Sequence, residues 1–352
     1  MTTLELLGWD PGYAASFEAY AREGLLPGRV TVAHNHLFRV AAADGEGPAV
    51  LAGRVRHLAE AASDLPVAGD WVALSAPPGD ACTIRGRLER RSFVARLSAG
   101  GVSETQVVAA NVDTLFVVAG LDGDFSPRRV ERYLELALAG GSEPVIVLNK
   151  ADLCEDAGSR LAEMERVALA VPVAIVSAAL GSGLEQLAPY LGPGRTVALV
   201  GSSGVGKSTL VNRLLGEERQ LTRAVREGDD RGRHTTTRRE LLALPGGGAL
   251  LDTPGLREVG LSGGESLGSF ADVEALAEAC GFRDCTHTGE PRCAVKRAVE
   301  HGELPADRLD SYHKLRTEQR YASLRQDEQA QSVQRRKWRA IHRAARRHKP
   351  RE

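Results

Sequence analysis

A chain of 352 residues is longer than one ordinary domain, so two or three domains are expected. With 43% hydrophobic and 26% charged residues, its composition is that of a soluble globular protein with a sizeable core. No apolar run approaches the roughly 20 residues that cross a bilayer. The start, MTTLELLGWDPGYAASFEAY, has no basic segment followed by an apolar one, so no signal peptide and no membrane partner are expected.

The net charge of −1 conceals an asymmetry. Between Ser332 and Glu352 stand nine Lys/Arg against one acid, so this segment carries +8 and the rest of the chain −9. A cationic tail on an acidic protein points to a polyanionic partner; a solvated helical tail is the plainer alternative. The cysteines number five, three of them crowded between 280 and 293. That pattern suggests a reducing compartment and a metal site rather than disulfides, hence a cytoplasmic location.

Residues 1–27 read as a polar helical extension. Over 28–97 the texture becomes short β-type runs broken by turn residues, such as RVTVAHNHLFRV and GDWVALSAPPGDACTIRG. Closely spaced short strands predict a small all-β barrel or sandwich. SAGGVSETQ, Ser98 to Gln106, reads as a linker. Over 107–260, apolar runs (DTLFVVAGL, PVIVLNK, VPVAIVSA, RTVALVG, GALLDTPG) alternate with helix-like segments such as PRRVERYLELALAG. That alternation predicts a doubly wound α/β domain with a mostly parallel sheet. Helical patterns around a Cys/His cluster fill 261–331, and the basic tail occupies 332–352.

The motifs of the α/β region also follow chain order. Asn149-Lys150-Ala151-Asp152 ends the strand PVIVL. A carboxylate placed there can accept from guanine N1–H and N2–H₂, a donor pair adenine lacks, and such matched hydrogen bonds discriminate by about 10⁴–10⁵. Asn149 is expected to tie this loop to a phosphate loop, and the Lys150 stem to cover the base. Ser177-Ala178-Ala179, after VPVAIV, is expected to offer a backbone contact to the base.

Gly201-Ser202-Ser203-Gly204-Val205-Gly206-Lys207-Ser208 matches G-x-x-x-x-G-K-[ST] between a strand, RTVALV, and a helix-like segment running on from Thr209. Glycines let successive N–H groups point at phosphate oxygens, and the helix N-terminus adds its positive end. Lys207 then serves the β- and γ-phosphates and the Ser208 hydroxyl serves Mg²⁺. In the loop Gly232-Arg233-His234-Thr235-Thr236-Thr237, either Thr235 or Thr236 is the candidate for completing the Mg²⁺ shell. Asp252-Thr253-Pro254-Gly255 closes the set, with Asp252 toward Mg²⁺ and the Gly255 N–H toward a γ-phosphate.

Leu256 follows, where many GTPases carry a glutamine that orients the attacking water. Slow intrinsic turnover is therefore expected, with His234 as the candidate water-positioning residue once its loop closes. Cys280, Cys285, His287 and Cys293 follow C-x4-C-x-H-x5-C. Three thiolates and an imidazole satisfy a closed tetrahedral Zn²⁺ shell of the structural kind; buried cysteines beside a surface histidine are the alternative.

The base-reading motifs precede the phosphate loop, which makes this a circularly permuted P-loop GTPase domain. With a β domain before it and the Cys/His cluster after it, the chain resembles the bacterial ribosome small subunit-dependent GTPase family (the RsgA type). The resemblance rests on GDWVAL (69–74), AANVD (109–113), PRRVERYL (127–134), the permuted motifs, GRHTTT and FRDCTHTGEPRCAV (282–295). It implies an N-terminal OB-fold that binds RNA and an α-helical domain holding one structural Zn²⁺. It further implies binding to the small (30S) subunit and its 16S rRNA, and subunit-stimulated GTP hydrolysis in late maturation. A monomer is expected. The competing functional readings are a GTP-gated RNA chaperone and a P-loop enzyme acting on a small metabolite; the second conflicts with NKAD and GRHTTT.

Overall fold

The computed structural model describes residues 3–34, 37–59, 61–79, 82–97, 105–123, 125–168, 170–216, 239–252, 270–282 and 284–317. Residues up to Val259, apart from Leu97–Gln106, form one compact unit, and the helices beyond it belong to a second.

The first unit opens with α1 (Thr3–Leu6) and α2 (Pro11–Arg22). Asp10 caps α2 by accepting from Tyr13 N–H at 2.9 Å, and Pro11 supplies the preset φ of a first helical residue. The segment is less polar than its sequence suggests. Leu4, Leu7, Tyr13 and Phe17 are buried in one cluster with Trp71 and with residues of the α/β region.

Next come β1 (Leu26–His34), β2 (Leu37–Ala42), β3 (Gly45–Leu51), α3 (Gly53–Leu58), β4 (Trp71–Leu74) and β5 (Thr83–Arg87). Their order β1-β2-β3-β5-β4 closes through a β1–β4 pairing, with β3 and β5 parallel and the other pairs antiparallel. This is a closed barrel of OB type. Its interior is filled by Val30, Val40, Val72, Leu74 and Ile84, all fully buried. A two-stranded ribbon of β6 (Phe93–Leu97) and β7 (Thr105–Ala110) follows.

The α/β region contains β8 (Thr114–Gly120), α4 (Pro127–Ala139), β9 (Glu143–Asn149), α5 (Ala157–Ala168), β10 (Val173–Ile175), β11 (Thr196–Val200), α6 (Lys207–Leu215), β12 (Arg239–Ala243) and β13 (Ala249–Asp252). Strands β10-β9-β8-β11-β13 lie parallel in that order, and β12 adds antiparallel to β13. All seven residues of β8 are buried, as a strand covered on both faces requires. Side chains of α4 and α5 pack in one core cluster and those of α6 in the other, so the sheet is doubly wound as expected.

Barrel and α/β region share one eleven-stranded sheet. One edge of β1 pairs with β2. The other is divided: Leu26–Arg29 pair with β4, while Val32 and Ala33 pair with Glu240 and Arg239 of β12. A stretch of β1 that the barrel leaves open is thus capped by the α/β region.

The junction is built from GDWVAL and AANVD. Gly69 has φ +93, and a Cβ there would lie 2.1 Å from Ala110 O, so only glycine fits. Arg29, 1% exposed, donates from Nε to Gly69 O at 3.2 Å, from Nη2 to Asn111 O at 3.1 Å, and from Nη1 to Leu7 O. Its charge also lies over the Trp71 ring, 5.2 Å from the centroid. Burial brings its pKa down to about 10, which still leaves it protonated at neutral pH. Asn111 Nδ2 donates to the same Gly69 carbonyl at 3.1 Å. N-terminal helices, barrel and α/β region meet at this one guanidinium.

The second unit holds α7 (Ala271–Ala277), α8 (Ala294–Glu300) and a further helix over 306–317. Its core joins Phe270, Val273, Val295, Tyr312 and Leu315, and Arg308 forks onto Asp272 at 2.8 and 2.9 Å. The helical character expected after residue 260 is present in these segments.

Candidate nucleotide site and metal centre

Every parallel strand of the α/β region delivers its C-terminal end to the same edge of the sheet, where ligands of open α/β sheets bind. Strand β11 runs into the glycine loop there. Gly201, Gly204 and Gly206 take φ of +149, +83 and +92, and α6 starts at Lys207. A Cβ on Gly201 would meet Val118 O at 2.2 Å, and one on Gly206 would meet Asn149 Nδ2 at 2.3 Å. The glycines therefore serve both the curl of the loop and its close approach to neighbouring strands. Val205 is buried in the core under α6, while Ser203 and Ser208 are exposed and Ser202 and Thr209 half-buried. Lys207 Nζ donates to Gly201 O at 2.7 Å and to Ser202 O at 2.5 Å. Strand β13 lies beside β11 with Leu251 opposite Ala198, so half-buried Asp252 stands at the strand's end, level with Leu199 and two residues short of the loop.

At the end of β9, Asn149 is 2% exposed and bridges two loops. Its Nδ2 donates to Val205 O at 2.8 Å, and its Oδ1 accepts from Ala178 N–H at 2.9 Å. This is the tie to the glycine loop expected from the sequence, with Ala178 added. Lys150 adopts left-handed φ +66 and donates to Asp122 Oδ2 at 2.5 Å. Ala151 and Asp152 begin a 3-10 turn, and the exposed Asp152 accepts from Ser177 Oγ at 2.5 Å. One carboxylate oxygen is thereby oriented from behind by a buried hydroxyl.

Three contacts were not expected from the sequence. Arg213 of α6 donates to Ala178 O and Ala179 O at 3.0 and 2.6 Å, fixing the SAA turn. Asp122 holds Lys150. Arg129 of α4 donates to Ser202 Oγ at 2.7 Å. In the sequence PRRVERYL is a family mark without a role; the other two carry no signal, because their partners lie 35 and 28 residues away. His234, Thr235, Thr236, Gly255, Leu256 and the tail 332–352 lie outside the described residues.

In the second unit, the ligand atoms of Cys280, Cys285, His287 and Cys293 lie within 4.8 Å of one another. Cys280 Sγ is 3.9 Å from Cys293 Sγ, and His287 Nδ1 is 3.6 Å and 3.4 Å from those sulfurs. A tetrahedral Zn²⁺ with its usual bond lengths needs S···S of about 3.8 Å and S···N of about 3.6 Å. The set fits, and four protein ligands close the shell. Burial, and then the charges of His313 and Arg316, hold His287 below its ordinary pKa, which favours the neutral imidazole a metal requires. Cys293 caps α8, its Sγ accepting from Lys296 N–H at 3.4 Å. Between the ligands, Glu290 accepts from the N–H groups of Thr286, Thr288 and Gly289 at 2.9–3.1 Å. Hydrogen bonds from Thr286, side chain first, hold its carboxyl well below the usual range. His301 and His313 stand outside the ligand set, as do Cys82 and Cys154.

A family model described as RsgA GTPase matches residues 87–262. A small ribosomal subunit biogenesis GTPase RsgA of Opitutus terrae is 46% identical over 98% of this chain and 97% of its own length. A second, RsgA 2 of Lactiplantibacillus plantarum, is 43% identical over 93% of this chain and 94% of its own. Among solved structures, YjeQ from Thermotoga maritima superposes with a TM-score of 0.63 at 29% identity, covering 84% of this chain and 98% of that one. YloQ, a circularly permuted GTPase, gives 0.59 at 25% identity over 84% and 95%.

Proposed function

The chain belongs to the RsgA family of circularly permuted GTPases, and from that premise we propose that it hydrolyses GTP on the small ribosomal subunit in a late step of its maturation. Asn149 carries the reading within the molecule. By joining β9, the glycine loop and the SAA turn, it places the base-reading carboxylate and the phosphate loop at one edge despite the permuted order.

Asp152, with its back held by Ser177, accepts from guanine N1–H and N2–H₂. Lys150 and Ala151 flank the base, and Ser177 and Ala178 close the pocket from the other side. Backbone N–H groups of Gly201, Ser202, Ser203, Gly204, Val205 and Gly206 receive the phosphates; Lys207, Ser208 and Thr209 add the first turn of α6. Ser208, Asp252 and Thr235 or Thr236 would hold Mg²⁺, which would supply charge neutralisation for phosphoryl transfer. The Gly255 N–H donates to the γ-phosphate. His234 orients the attacking water, and docking on the subunit brings its loop in. The OB barrel and the basic tail meet 16S rRNA. Among the described residues no helix is long and apolar enough to cross a membrane; a cytoplasmic location and a monomeric state belong to the same reading.

Two substitutions test the site. Asp152→Asn is expected to weaken GTP binding and shift preference toward xanthosine nucleotides, whose C2 oxygen accepts; competition binding reads it, and an unchanged preference for GTP would mean that Asp152 does not face the base. His234→Ala is expected to leave GTP affinity within a few-fold while lowering subunit-stimulated turnover by about 10²–10⁴. Normal hydrolysis by that variant on the subunit would assign the water to another group. Cosedimentation with small subunits in GTP-analogue, GDP and nucleotide-free states tests the partner.

A further inference from the structure

Arg129 stands in the third position of α4, and its Nη1 donates to Ser202 Oγ at 2.7 Å across 73 residues of sequence. Ser202 is the second residue of the glycine loop. It is gripped twice, since its carbonyl accepts from Lys207 Nζ while its hydroxyl accepts from Arg129. Between α4 and the loop lies a small cleft lined by Val118, Ser126, Val130, Tyr133 and Val205 together with these two residues. Arg129 and Ser202 are both half-buried, so the guanidinium works where water screens it less than at an open surface.

We propose that Arg129 is a positioning residue for the phosphate loop, acting through Ser202 to hold the loop in its nucleotide-binding curl and adding a positive charge behind it. The inference rests on reading Gly201–Ser208 as the phosphate site. A loop of three positive-φ glycines has wide conformational freedom, and a nest of N–H groups binds phosphate well only if it is already formed. Lys207 fixes the carbonyl side of Ser202 from within the loop. Arg129 fixes the hydroxyl side from a different element, one rooted in the core through Val130 and Leu134. Acting through Ser202, a residue of the loop that would receive the phosphates common to GTP and GDP, the support serves both nucleotides. Affinity for both should respond, and the chemical step should not.

The test is a double-mutant cycle on the full chain, read by equilibrium binding of fluorescent GTP and GDP analogues and by single-turnover hydrolysis. Arg129→Ala and Ser202→Ala are each expected to weaken both nucleotides by about tenfold, the scale of one hydrogen bond to a charged group. The double variant should be no weaker than the worse single one, as for residues acting through one contact. The hydrolysis rate at saturation should stay within about threefold in Arg129→Ala, and Arg129→Lys should recover part of the affinity. Lys207→Ala serves as the reference. Wild-type affinity in that variant would overturn the phosphate-site reading and the proposal with it. Wild-type affinity in Arg129→Ala and Ser202→Ala beside a damaged Lys207→Ala overturns the proposal alone. So do additive losses in the double variant. A fall in hydrolysis rate with unchanged affinity would also overturn it, because Arg129 would then act on the transferred phosphoryl group. Ser202→Ala removes one oxygen from a half-buried loop position, so the cycle keeps a variant that folds.

Discussion

The nucleotide site and the metal centre are polar constellations of similar size held together in opposite ways. At the nucleotide site, Asn149, Arg213 and Arg129 reach across 56, 35 and 73 residues of sequence, and each contact stands on a strand or helix with a buried core beneath it. At the metal centre, all four ligands come from the stretch between Cys280 and Cys293, which carries no sheet. Its core is a small cluster around Phe270 and Tyr312 that itself includes Cys293. The first site stands on elements that the fold supplies, whereas zinc is expected to supply much of what holds the second together. The two should therefore respond differently to losing what they bind.

The largest effect is expected at the metal centre. Zinc bound to such a set contributes on the order of 10 kcal/mol of apparent binding energy to folding. Chelation or Cys285→Ser should unfold the second unit while the first keeps its nucleotide affinity. One Zn per wild-type chain by metal analysis, and limited proteolysis confined to residues beyond 260, would show this. A full complement of Zn in a chain lacking Cys280, Cys285 and Cys293 would sink the assignment.

A smaller effect tests whether the nucleotide site is prebuilt. Asn149→Ala removes both bonds of a buried amide and leaves the Val205 carbonyl and the Ala178 N–H unpaired. A loss of about 1–3 kcal/mol in stability is expected, together with weaker GTP binding. Melting without nucleotide isolates the structural part; an unchanged melting temperature would mean that the bridge forms only around the ligand.

Acid separates the two regions by the smallest effect. The metal ligands release zinc as they take up protons. On the first unit, the Arg91 hydrogen bond, with the Tyr13 N–H, lowers the Asp10 pKa from 3.8 to about 2. The sign follows from that depression: the pair stabilises fully above pH 3.8 and is lost as pH falls toward about 2. Its side chains are 49% and 42% exposed, so screening holds the contribution below about 1 kcal/mol. Melting curves of wild type and Asp10→Asn should differ above pH 3.8 and converge near pH 2; a constant offset would refute the assignment.

Much of the nucleotide site was legible because its chemistry admits few residue types. A glycine loop, an amide that bridges and a carboxylate that accepts a donor pair are nearly dictated by the ligand. The supporting contacts were not legible. Arg129, Arg213 and Asp122 meet partners far away in sequence, and an arginine on a helix announces no acceptor. GDWVAL and AANVD could be read as marks, yet their joint role around Arg29 required the barrel and the α/β region to be placed together. Strand spacing announced a small barrel or sandwich, and the family resemblance chose the barrel. Its fusion to β12 was not legible, because an edge of β1 says nothing about which strand covers it. The N-terminal helices read as polar because their buried face is a sparse stripe of Leu4, Leu7, Tyr13 and Phe17.

Strand β12 has one more consequence. It is the first described segment after residue 216, and it lies between β13 and β1, with Glu240 opposite both Asp252 and Val32. Leu241 points into the core cluster on one face of the sheet and Leu242 into the cluster on the other. Sliding β12 by one residue would exchange those two side chains between faces and break ladders on both sides at once. The strand's place in the sheet is therefore set from two sides at once, by the strand that ends in Asp252 and by the first strand of the barrel.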